Sequence, residues 1–271
     1  MTTSNTYPHI IVLDLDGTII GNNEPQLCFI QIFQYISRHC FDNELEHMNM
    51  KAIISQAMRD GLARPYLKEF FETISNLHGN YELFVYTASS KDIGNIMVEC
   101  VEDAFDIQFN RPIFTSKDCT HSSYYIIKSI KQIHTKLINC IYKKYPQCKN
   151  MTYDDLLQNI TIIDNNMSCY LPTERCRIIH CSTYNQITNI DILKYFPKGL
   201  IAKHYKHIIS ILENYMNMKF YGMSRNMYIC FNKQYIQNIL QYNMINHTST
   251  IDNLWETISS IFRDLESTAY F

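Results

Sequence analysis

The sequence predicts an α/β fold, a Rossmann-like parallel sheet flanked by helices with a helical C-terminal extension, on three observations. Short apolar runs stop abruptly at polar residues, amphipathic stretches lie between them, and three of the runs end on Asp or Thr. The first run, His9 to Leu15, is rich in Ile and Val and is bounded by Pro8 and an acidic turn, so it reads as a buried strand. Glu82 to Thr87 and Ile160 to Asp164 have the same character, and Arg177 to His180 supplies a fourth strand. Runs without polar alternation suit a parallel sheet covered on both faces.

Between and beside these runs, Gln26 to Arg38, Leu45 to Arg59, Pro65 to Leu77, Ile93 to Val101 and Ile126 to Tyr142 repeat apolar residues at three and four, the spacing of a helix face. Beyond about residue 196 the pattern becomes wholly helical, over Ile201 to Tyr215, Tyr235 to Tyr242 and Ile251 to Leu265, the last opened by a capping box at Ser249-Thr250-Ile251-Asp252. Pro197-Lys198-Gly199 marks the boundary. The expected organisation is a core of residues 1–196 with a helical insert at 19–63, followed by an extension of 197–271.

Of the 271 residues, 46% are hydrophobic and 18% charged, a globular composition with enough apolar material for one large domain or a core and an appendage. With a formal net charge of -2, nothing global argues for nucleic acid or anionic lipid as the main partner, so any affinity for phosphate must be local. No apolar stretch approaches the roughly 18 residues that cross a bilayer. The ten cysteines are scattered and form no Cys-x-x-Cys pair, as expected of reduced core thiols. These features predict an intracellular protein, cytoplasmic or nuclear.

The chemistry concentrates at Asp14-Leu15-Asp16-Gly17-Thr18. Two aspartates one residue apart at a strand end project to the same side, and Gly17 lets the chain turn. That pair suits phosphoryl transfer through a covalent intermediate, with Asp14 attacking phosphorus and Asp16 first protonating the leaving oxygen and then activating water. Two carboxylates facing a phosphate need a cation, and Mg2+ prefers such hard oxygen ligands. Asp14, the Asp16 carbonyl and an oxygen of Asp164 or Asn165 would hold it. Thr87 and the amide of Ala88 would meet the phosphoryl oxygens, and a lysine, Lys128 or Lys117, would offset the remaining charge.

These residues resemble the haloacid dehalogenase superfamily of phosphatases, and within it the RNA polymerase II carboxy-terminal-domain phosphatases and the NLI-interacting-factor-like branch. Arg64-Pro65 with Phe70, Tyr86-Thr87-Ala88-Ser89, Asp118-Cys119 with Tyr124 to Lys128, Asp164-Asn165 and the following Tyr170 are similar to the branch's motifs in order, over roughly residues 9 to 185. The resemblance implies Asp14 as aspartyl-phosphate nucleophile, Asp16 as proton donor, Thr87 as phosphate ligand, Lys128 rather than Lys117 as the motif lysine, and Asn165 as the third magnesium ligand. It implies a protein phosphoserine or phosphothreonine as substrate and leaves the C-terminal helices unexplained, where a surface for a protein partner is a separate expectation. Gly17 stands where the branch usually has Glu, Tyr66 where it has the Gly of Arg-Pro-Gly, and Asn166-Met167 where it has Ser-Pro. Residues 19 to 63 read as helical where the branch carries a strand-rich insert, which bears on peptide specificity more than on hydrolysis. Two other readings stand beside this one: a phosphatase of nucleotides, nucleic-acid ends or metabolites, and a catalytically weak phosphatase-like binding module.

His204-x-x-His207 lies on a predicted helix without an evident third metal ligand, and the lysines after Lys128 read as a solvated helix face. Trp255 is expected to anchor the last helix.

Overall fold

A computed structural model describes residues 7–21, 23–39, 49–122, 126–184, 195–196, 203–204, 206–208, 210–211 and 252–268. In chain order the elements are β1 (His9–Leu13), α1 (Asn23–His39), α2 (Met50–Ala57), α3 (Leu67–Asn76), β2 (Tyr81–Val85), α4 (Lys91–Phe105), β3 (Thr120–His121) and β4 (Ile126–Ile127). They continue with α5 (Ile130–Ile141), α6 (Tyr153–Gln158), β5 (Ile160–Asp164), β6 (Ile178–His180) and α7 (Leu254–Thr268).

The four apolar runs pair as a parallel sheet in the order β2-β1-β5-β6. Leu13 is level with Val85 on one side and Ile163 on the other, so the next residues along, Asp14, Tyr86 and Asp164, stand in a row at the carboxyl edge. Beyond β2, Tyr86 bridges Phe114 in parallel, and the Thr87 amide donates to the Phe114 carbonyl at 2.9 Å. Ile10, Val12, Phe84 and Ile162 share a core with Ile133, Leu137 and Ile141 of α5 and Leu156 of α6. Ile11, Leu13, Val85 and Ile163, which point the other way, are equally buried. Both faces of the sheet are therefore covered, which is why its strands are mostly apolar without strict polar alternation.

The chain forms two compact units. The first comprises Met1–Ile20, Arg64–Tyr184 and Asn253–Phe271, the second Gly21–Ala63 and Asn185–Asp252. This division follows a different line from the boundary at 196/197 read from the sequence, because α7 packs on α3 in the unit that holds the sheet. Trp255 is fully buried there, 4.9 Å from the ring of Phe70, while Phe262 meets Tyr81 edge-on at 5.6 Å. Helical periodicity shows that a face is buried but not which partner it meets.

Two helices differ from their predicted bounds for local reasons. The stretch from Ile126 does not begin as helix: Ile126–Ile127 pair antiparallel with Thr120–His121, and α5 starts only after Ser129, whose backbone is extended. Lys128 therefore sits on a strand-like segment, its amide donating to the Cys169 carbonyl at 2.8 Å. In the second unit, α2 is capped by the Asn49 side chain, which accepts from the Ala52 amide at 3.2 Å, and it runs into a wide turn, Met58–Leu62, where Gly61 has φ 107°. Residues 45–48, the helix at Tyr235 to Tyr242, the capping-box residues 249–251 and parts of Ile201 to Tyr215 lie outside the described residues. Among the described residues no helix is long and apolar enough to cross a membrane, and none of the eight described cysteines is in a disulfide.

Candidate active site

Each expected site residue belongs to the first unit. Asp14 follows β1, its amide donating to the Ile163 carbonyl of β5 at 2.9 Å, so the strand pairing itself aims the side chain. Lys128 reaches it from the bridge to Tyr170. The buried Lys128 ammonium donates to Asp14 Oδ1 and, at 2.8 Å, to Asp164 Oδ2. The rings of Tyr86 and Tyr170 wall it at 5.9 and 5.8 Å. Asp164 is fully engaged, since its Oδ1 accepts from the Asn166 amide at 2.7 Å. Lys117, the other candidate, is exposed on the turn at Ser116–Asp118, and the lysine hydrogen bonds to Asp14 and Asp164 both come from Lys128 instead.

Asp16 turns toward the end of β2. Its Oδ2 accepts from Thr87 Oγ1 at 3.0 Å and from Ser89 Oγ at 2.7 Å, while its Oδ1 is buried with no partner among the described residues. Thr87 Oγ1 also accepts from the Ser89 amide at 3.0 Å, closing a small turn through Ala88 before α4. Asp16 and Thr87 are thus brought together, as the sequence order requires.

Burial pushes the Asp14 carboxyl up, to about 7, against the pull of Lys128, with Asp164 and Asp16 adding to the rise. For Lys128, burial works against the charge, but Asp14 and Asp164 outweigh it and hold the ammonium protonated well beyond the usual range. With all groups ionised, three carboxylates against one ammonium leave a formal charge of -3 + 1 = -2, an excess that a divalent cation would cancel.

An oxygen cradle of the right kind is present. The inward atom of the Asn165 side-chain amide lies 3.2 Å from Asp14 Oδ2, 3.2 Å from the Asp16 carbonyl and 3.3 Å from Thr18 Oγ1. With the amide oxygen turned inward, it accepts from the Thr18 hydroxyl and faces two further acceptors, Asp14 Oδ2 and the Asp16 carbonyl, which a cation would satisfy. With the nitrogen inward, the same atoms are satisfied by hydrogen bonds. The 3.2 Å separations are close to the edge of about 2.9 Å expected of an octahedron with 2.0–2.1 Å metal–oxygen bonds. The donor set fits Mg2+. Gly17 serves this cradle, because at φ 81° a Cβ there would lie 2.7 Å from the Asn165 amide and 3.0 Å from Thr183.

Several supports carried no sequence signal of this role. Thr18 Oγ1 accepts from the Asn165 amide at 3.1 Å, and the Tyr184 amide donates to the Gly17 carbonyl at 2.7 Å. Arg64 is buried and donates to the Thr18 carbonyl at 3.2 Å and the Ser182 carbonyl at 2.6 Å, tying the motif turn to residues 181–184. Ser89 was legible only as part of Thr-Ala-Ser. Among the described residues no group of three or more His, Cys, Asp or Glu side chains is arranged to hold a metal, which includes His204 and His207, whose neighbour is Tyr35.

No curated protein sequence matches the chain. Among solved structures, fission yeast RNA polymerase II CTD phosphatase Fcp1 bound to beryllium fluoride matches with TM-score 0.46 and 13% identity, over 97% of this chain and 64% of that one. A second structure of Fcp1, described as an essential RNA polymerase II CTD phosphatase, gives TM-score 0.45 and 15% identity, over 97% and 63%. The chain spans just under two thirds of the length of these solved chains. Residues 9–198, which include every candidate site residue above, match the NLI interacting factor-like phosphatases, and the chain belongs to that family.

Proposed function

We propose that this chain is a magnesium-dependent phosphatase that hydrolyses phosphate monoesters through a phosphoryl group carried on Asp14, acting on phosphoserine or phosphothreonine in proteins. The observation that carries the reading is the position of Asp14: one carboxylate oxygen is held by Lys128 and the other belongs to the oxygen cradle. Family membership supports the reaction class. The motif segments at Arg64-Pro65, Tyr86 to Ser89 and Asp164 to Tyr170 support the protein substrate by their resemblance to that branch.

In the first step Asp14 attacks phosphorus, the bond to the leaving oxygen breaks with its electron pair, and Asp16 gives that oxygen a proton. In the second, Asp16 takes a proton from water, the water oxygen attacks phosphorus, and the bond to Asp14 breaks. Thr87 and the Ala88 amide orient the phosphoryl oxygens, and Lys128 stabilises charge that moves onto Asp14 and the phosphoryl group. Asp164 keeps Lys128 in place from the opposite side. Asp14, the Asp16 carbonyl and Asn165 are the residues that would hold Mg2+. The cation supplies charge neutralisation for the incoming dianion.

The test is hydrolysis of an aryl phosphate by the purified chain with and without Mg2+, beside Asp14→Asn. A loss on the order of 1000-fold or more in the variant is expected for a covalent nucleophile. Wild-type turnover no greater than that of Asp14→Asn would end the enzyme reading in favour of a binding module. Relative kcat/KM on phosphopeptides, nucleotides and phosphorylated oligonucleotides then tests the substrate class, and preference for either of the latter two would replace it.

A further inference from the structure

We propose that Ser89 is the positioning residue for proton transfer by Asp16, an inference that rests on the phosphatase reading above. A hydroxyl has one proton to donate. In this structure both Thr87 and Ser89 spend theirs on the same oxygen, Asp16 Oδ2, at 3.0 and 2.7 Å. Thr87 is also the hydroxyl expected to meet the phosphoryl group. Once it donates to a phosphoryl oxygen it no longer donates to Asp16, and Ser89 is left to hold the carboxyl group in its orientation.

The backbone supports this division of labour. Thr87 Oγ1 accepts from the Ser89 amide at 3.0 Å, so the turn that places the Thr87 oxygen also fixes the Cα of Ser89. Oδ1 is the Asp16 oxygen with no hydrogen-bond partner among the described residues, so, with Ser89 holding Oδ2, it is the oxygen left to carry the proton. The Ser89 hydroxyl is committed to Asp16 Oδ2. Its contribution runs through the orientation of Asp16, and it matters in proportion to how much the leaving oxygen needs a proton.

That dependence separates positioning from a general structural defect. The experiment measures kcat/KM, which reports the first phosphoryl transfer, for wild type, Ser89→Ala and Ser89→Thr on aryl phosphates from dinitrophenyl to unsubstituted phenyl phosphate and on an alkyl phosphate. Asp16→Asn serves as the limit of full acid loss. For Ser89→Ala we expect a loss of about tenfold on phenyl and alkyl esters and less than about twofold on dinitrophenyl phosphate, part of the 10²–10⁴ that acid catalysis supplies. Ser89→Thr, which keeps the hydroxyl, should restore most of it. A loss of equal size across the series, or none, overturns the role of Ser89 while leaving the phosphatase reading intact. Absence of turnover by the wild type removes both.

Discussion

Lys128 is the residue on which the charge balance turns. Replacing it with Met would leave Asp14 and Asp164 buried beside each other without their cation. Removing one partner of a buried ion pair costs about 3–5 kcal/mol. Lys128→Met should therefore lose stability in metal-free buffer by that amount, measured by denaturant unfolding, besides losing activity. Gly17→Ala makes a second residue-level case. Its Cβ would collide with the Asn165 amide at a backbone angle that favours glycine, so Mg2+ binding, read by titration calorimetry, should weaken by tenfold or more, about 1.4 kcal/mol or above. A third concerns thiols near the site. Burial, with the Asp164 charge adding to it, pushes the Cys169 thiol up to about 12, whereas Cys176 is exposed. A raised value means little thiolate near neutrality, so iodoacetamide at pH 7.5 should label Cys176 well before Cys169, as read by peptide mass spectrometry.

At the level of elements, α3 opens on an unusual residue. Tyr66, which replaces the glycine of the family's Arg-Pro-Gly segment, is the N-cap and has φ 63°, the left-handed region that costs a non-glycine residue about 1–2 kcal/mol. Tyr66→Gly relieves that strain and gives back about 0.5–1 kcal/mol in chain entropy, so the variant should match or exceed wild-type stability by up to about 1 kcal/mol. Docking of α7 through Trp255 is a larger contribution. Trp255→Ala should cost about 3–5 kcal/mol, followed by circular dichroism because Trp255 is the only tryptophan.

The strands and the residues that end them were legible because a buried parallel strand leaves a continuous apolar run that stops where the backbone reaches solvent and chemistry. In the sequence, Ile126, Ile130, Ile133, Leu137 and Ile141 keep helical phase throughout and so predict a helix across Lys128. The strand pairing of Ile126 and the bridge from Lys128 to Tyr170 override that phase, and such long-range pairing leaves no mark in a local window. Residues 181–184 were silent for the same reason, since they brace Gly17 and Asn165 through backbone groups and a hydroxyl.

For the molecule as a whole, a site with an excess of negative charge should be stabilised by the ion that cancels it. Mg2+ at about 100 times its dissociation constant adds about 2.7 kcal/mol if it binds only the folded chain. Thermal unfolding should shift upward with Mg2+ in wild type and in Asp14→Ala much less, a readout that does not depend on turnover. The order of the sheet has a further consequence, for how activity is acquired. Leu13 of the central strand aligns with Val85, 85 − 13 = 72 positions on, and with Ile163, 163 − 13 = 150 positions on. Closing such distant pairings is slow compared with forming helices, which need only neighbours along the chain. Asp14, Thr87 and Asp164 come within reach of one another only when both strands have docked on β1. In a refolding experiment helicity should therefore return first, and the ability to turn over substrate should lag behind it as a separate, later phase.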